Sequence, residues 1–116
     1  MAEVKLPSNV SKEQFEDWKE KFGKDPEGKE TVKVIVIKSK TADLEFRCVV
    51  RNPDKKILGM ALPFMDKNVA KMCDILITNC WLGGEEVIKT FPPYNLSAGS
   101  QLLDFLSDAE SEIQNF

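Results

Sequence analysis

A chain of 116 residues, 42% hydrophobic and 30% charged, has the size and composition of one globular domain rather than a disordered segment. No apolar run approaches the ~20 residues that cross a bilayer, and Met1 to Pro7 lack the apolar stretch of an export signal, so a cytosolic protein is expected. The net charge of −3 is uneven: beyond Lys89 lie only Asp104, Asp108, Glu110 and Glu112, an arrangement that argues against nucleic acid, whose phosphates need clustered cations.

Residues 1–10 read as a flexible arm, and 11–116 as a single domain. Ser11-Lys12-Glu13-Gln14 has the spacing of a capping box, and Val10 and Phe15 stand at the two positions of a hydrophobic staple. Phe15, Trp18 and Phe22 then recur at helical spacing, and Gly23 is placed to end that helix. This aromatic stripe has two readings, a core face or an amphipathic arm that docks on a neighbouring subunit.

Asp25-Pro26-Glu27-Gly28 is a turn, and the β-branched run from Thr31 to Lys38 predicts a strand. Its valines share one face, while Ile35 and Ile37 point to the other. A second strand follows, with Leu44, Phe46, Cys48 and Val50 inward and Val49 breaking the polar side. A hairpin apolar on both faces needs cover from helices or from a second subunit, so self-association is expected.

Asn52-Pro53-Asp54 reads as a helix start capped by Asn52, with Ile57, Leu58, Ala61 and Leu62 on the apolar side and Pro63 as the stop. Asp66 is the expected cap of the clearest amphipathic helix, carrying Val69, Met72, Cys73, Leu76, Ile77 and Cys80. Gly83-Gly84 is expected to end it, with an extended piece over Glu85–Lys89. Pro92-Pro93 argues against helix, and Asn95 is the expected cap of a last helix bearing Leu102, Leu103, Leu106 and Ile113, with a restart at Ser107-Asp108-Ala109-Glu110. The fold class is therefore α+β: a β-hairpin, open to extension between subunits, packed against three or four helices.

Chemistry is sparse. There is no histidine, the commonest general base near neutral pH, and the three cysteines form no Cys-x-x-Cys pair. Cys73 and Cys80 fall on an apolar helix face, which disfavours a thiolate. Leu82-Gly83-Gly84-Glu85 lacks the Lys-Ser/Thr of a phosphate cradle. No enzymatic activity, metal or cofactor is expected.

Three segments combine into a recognisable order. They are Phe15-Glu16-Asp17-Trp18-Lys19-Glu20-Lys21-Phe22-Gly23-Lys24, then Arg51-Asn52-Pro53-Asp54-Lys55-Lys56, and then Asn79-Cys80-Trp81-Leu82-Gly83-Gly84-Glu85-Glu86-Val87-Ile88-Lys89. In this order and spacing, over about residues 13–106, the chain resembles the small tail assembly chaperones of long-tailed phages and prophages. Where that family usually has an acidic run before its last helix, this chain has Phe91-Pro92-Pro93-Tyr94.

The resemblance implies a chaperone that coats the helical tape measure protein in the bacterial host cytoplasm until the tail tube forms. The alternative is a small structural tail or connector subunit. A groove for an amphipathic helix would draw on hydrophobic side chains beyond those a small core uses. The candidates are Trp18 and Phe22 on the first helix, Met60, Phe64 and Met65 around Pro63, and Trp81 beside the glycines. No membrane or nucleic acid partner is expected.

Overall fold

In the structure, a computed structural model that describes residues 5–104, the sheet divides the hydrophobic residues between its two faces. Strands β1 (Val32–Lys38) and β2 (Glu45–Arg51) form the expected hairpin, antiparallel with Ile35 opposite Cys48. Because side chains alternate along a strand, Ile35, Ile37, Cys48 and Val50 face one way, and Val32 and Val49 face the other. Both sets are buried. The first face carries helices α2 (Lys55–Ala61), α3 (Val69–Cys80), α4 (Val87–Thr90) and α5 (Pro92–Asp104). The second carries α1 (Lys12–Phe22), whose Phe15 is buried with Val10. The architecture is α+β.

Local chemistry sets the ends of α1 as the sequence predicts. The Ser11 hydroxyl accepts from the Gln14 amide at 3.1 Å, and the Gln14 side chain accepts from the Ser11 amide at 3.0 Å, which satisfies two of the helix's orphan donors. Gly23 closes the helix with a positive φ of 69°.

Several boundaries differ from expectation, each for a physical reason. Asn52 does not cap α2, because its amide is tied to the hairpin, donating to the Thr31 carbonyl at 2.9 Å. Asp54 caps instead, accepting from the Ile57 amide at 2.8 Å. After Ala61 the chain tightens into one 3₁₀ turn, Leu62–Phe64, and the Lys67 and Asn68 amides still donate to the Phe64 carbonyl. The helix restart is thereby delayed past Asp66, and Asn68 caps α3. Pro92 and Pro93 begin α5 rather than forbidding it, since first-turn residues have no carbonyl to bond within the helix. Asn95 lies inside that helix, buried, its side chain donating to the Lys89 carbonyl at 3.4 Å. Leu44, expected inward, is 51% exposed beyond the strand end.

The largest correction is a third strand, β3 (Trp81–Gly84), antiparallel to β2, so that the order is β1-β2-β3. Gly83-Gly84 does not follow the helix as a terminator. The chain enters the strand directly after Cys80, and Gly84 lies against the backbone of Cys48, where a Cβ would come within 2.5 Å of the Cys48 Cα. Glu85–Lys89, expected extended, instead leads into α4. The sheet is thus extended and covered by its own chain.

Of the expected arm, residues 1–4 lie outside the described residues, and residues 7–10 pack on the domain. Pro7 and Val10 are buried, and the Asn9 side chain donates to the Gly84 carbonyl at 2.6 Å. The expected restart at Ser107, with Leu106 and Ile113, lies outside the described residues.

Candidate functional site

The six candidate residues do not converge on one surface. Trp18 and Phe22 pack on the α1 side of the sheet, half-buried, with Trp18 standing over Gly83: a Cβ there would meet the indole at 3.0 Å. Phe22 has Arg51 5.5 Å from its ring centroid. Trp81 projects to the opposite face and packs against the main core, with the Lys89 ammonium 4.8 Å from its ring. These three side chains stabilise the fold.

Met60, Phe64 and Met65 behave differently. They lie at the corner where α2 passes through the 3₁₀ turn into α3, and that corner leaves apolar surface in water. Met60 is 40% exposed, Met65 43% and Val69 50%, while Phe64 is half-buried under the Lys71 ammonium at 4.6 Å. The corner exists because Pro63 cannot continue the helix, so the apolar residues on either side of it no longer share one buried stripe. Three of the six exposed large hydrophobic side chains among the described residues fall within these ten consecutive residues.

A second concavity was not anticipated. It lies between the β1–β2 turn and the start of α5, holds about 570 Å³, and is lined by Ile37, Lys38, Lys40, Phe91, Pro93 and Tyr94 among others. Tyr94 anchors it: its ring meets Phe91 edge-on at 4.7 Å and Phe46 at 5.2 Å. Phe91 remains 47% exposed. The signal in the sequence was Phe91-Pro92-Pro93-Tyr94, aromatic residues bracketing two prolines.

The described residues carry little reactive chemistry. Burial pushes the Cys48 thiol up to about 12 and the Cys80 thiol to about 11, and raises that of Cys73 as well. All three cysteines are free and buried, and no thiolate nucleophile arises from them near neutral pH. Among the described residues no group of three or more Cys, Asp or Glu side chains is disposed to hold a metal ion. No helix among them is long and apolar enough to cross a membrane.

No protein-family model matches the chain, and comparison with curated proteins and with solved structures yields no match either.

Proposed function

We propose that this chain is a non-catalytic protein-binding factor of phage tail morphogenesis, a tail assembly chaperone that shields the helical tape measure protein in the bacterial host cytoplasm. The observation that carries the reading is the exposed apolar corner of Met60, Met65 and Val69 beside Phe64. An amphipathic helix laid on such a corner buries apolar side chains three and four residues apart, and unbranched thioethers adapt to whichever residues it presents. A client that must later be released suits an adaptable surface of modest extent.

The attribution to tail assembly is supported by the order of the segments around Trp18, Pro53 and Trp81. In the fold these segments end α1, lead from β2 into α2, and build β3. They are architectural, so the resemblance speaks to a shared scaffold, and the docking surface is sought elsewhere, at residues 60–69.

The test is co-elution of the full chain with the tape measure protein of the same tail gene cluster. Binding is expected, and replacing both Met60 and Met65 with serine is expected to weaken it at least tenfold while leaving the thermal transition in place. Absence of binding, or binding indifferent to the double replacement, counts against this surface. Recovery of the chain from finished particles would instead favour the structural tail or connector subunit.

A further inference from the structure

In the order β1-β2-β3, β1 is an edge strand among the described residues, and the phase of its hydrogen bonding is fixed at both ends. The Asn52 amide donates to the Thr31 carbonyl at 2.9 Å, and the Ser39 amide donates to the Leu44 carbonyl at 2.8 Å, so residues 31 and 39 bond inward to β2. Antiparallel ladders alternate, which makes residues 33, 35 and 37 inward-bonding as well. The backbone groups of Val32, Val34, Val36 and Lys38 therefore point away from the sheet. Beside them runs a trough of about 370 Å³ lined by Lys33, Val34, Ile35, Val36 and Gln101 of α5. Four consecutive strand residues from both faces line it, so the trough follows the strand's edge. Val36 is 41% exposed there.

Sheets ordinarily guard such an edge with proline, a bulge or an inward-pointing charge. Strand β1 has no proline and its register with β2 is unbroken; its charges are Lys33, on the helical face, and Lys38 at the strand's end, and between them residues 34–37 form an unbroken apolar run.

We infer that β1 is the self-association surface of this protein, pairing antiparallel with β1 of a second copy about a two-fold axis that runs midway between Ile35 of one copy and Ile35 of the other. This edge is complementary to a second copy of itself. The outward-facing residues 32, 34, 36 and 38 are distributed symmetrically about Ile35, so the two-fold sets Val34 opposite Val36 of the other copy and Val32 opposite Lys38. Each of these is an outward group meeting an outward group, giving up to about eight new backbone hydrogen bonds. Side chains match too. Val34 and Val36 lie on the α1 face in both copies and become cross-strand neighbours, which covers the exposed valine. On the helical face Ile35 meets Ile35, and Lys33 meets Ile37, so the two lysines of one strand never face those of the other. The three-stranded sheet becomes a continuous one of six, with the helices of both copies on the same side.

This pairing is independent of the proposed client and of the corner at residues 60–69. The test begins with the mass of the full chain by sedimentation, expected at twice 13.1 kDa. Hydrogen exchange is expected to show the amides of Val34 and Val36 protected in that species. Val36→Pro removes an outward donor without breaking the bonds to β2, and is expected to yield a folded monomer. A second pair guards against misfolding of that variant: Val34→Lys with Val36→Lys in one chain, and Val34→Glu with Val36→Glu in another. Each is expected to be monomeric alone, and the two to associate when mixed. A wild-type monomer overturns the inference, as does a dimer that survives Val36→Pro, or charge variants that fail to combine. Protection of both amides in a species of monomer mass also overturns it, assigning the edge to an intramolecular occupant.

Discussion

Gly99 of α5 and Cys73 of α3 meet with no room between them: a Cβ on Gly99 would stand 2.5 Å from the Cys73 Cβ and 2.7 Å from its Sγ. The Cys73 thiol lies 3.9 Å from the Leu96 carbonyl, one turn earlier on the same helix as the glycine. The glycine is what lets the two helices close, and helix propensity alone gives the wrong answer here. Alanine is the better helix former by about 1 kcal/mol, yet forcing a methyl into a packed contact costs about 1–3 kcal/mol. Gly99→Ala is therefore expected to destabilise the fold in urea denaturation. At Gly59 in α2 a Cβ would meet nothing within 4 Å, and Gly59→Ala is expected to stabilise by about 0.5–1 kcal/mol in the same assay.

Gly84→Ala is expected to be the most damaging of the glycine replacements. Its φ of 142° is foreign to L side chains, and the Cβ would enter the backbone of Cys48. Strain and overpacking together amount to roughly 3–5 kcal/mol, enough to unfold a marginal domain. Circular dichroism at ambient temperature would register the loss directly.

Trp18 and Met65 are equal candidates in the sequence, and the structure separates them. Trp18→Ala removes a half-buried ring from the α1 side of the sheet and is expected to cost about 2 kcal/mol of stability. Met65→Ala removes a side chain that is 43% exposed and is expected to cost less than Trp18→Ala, under about 1 kcal/mol. Thermal denaturation of the two variants distinguishes scaffold from surface.

The buried thiols predict an alkaline limb in stability. Cys48 holds its proton in the folded state to about 12 against a usual value of 9.0, because burial disfavours the thiolate. The folded chain therefore binds more protons than the unfolded one above pH 9, and stability falls as pH rises from about 9 toward 12, while below 9 the contribution is complete. The slope from this group is about 1.4 kcal/mol per pH unit, and Cys48→Ala is expected to remove it from a pH series of urea midpoints. Below pH 9 the native thiols are expected to react with iodoacetamide only as fast as the protein opens.

Features set by residues close in sequence were legible before the structure. The capping box at Ser11, the staple of Val10 on Phe15, and the alternation of Ile35 and Ile37 against the valines each depend on a few neighbouring positions. What escaped depends on distant contacts. Trp81-Leu82-Gly83-Gly84 has the composition of a helix stop, and it is a strand because β2 offers it a pairing edge and Cys48 demands a residue without a side chain. Asn52 and Asp54, like Asp66 and Asn68, are chemically equivalent caps, and only the bonds of the preceding segment choose between them. For the candidate site, exposure was the missing quantity. Hydrophobicity marked Trp81 and Met65 alike, and only the third strand turned one of them inward.

The sheet's two coverings are unequal, and the difference sets how the molecule gives way. Among the described residues, fourteen buried side chains lock the helical side, whereas four hold α1 and the leading segment in place. Heat is expected to peel that thin flap first, hinging it at the turn of Asp25–Gly28, while the thicker half stays latched. Unlatched, the flap bares Val32 and Val49, so an overheated sample is expected to clump before it melts.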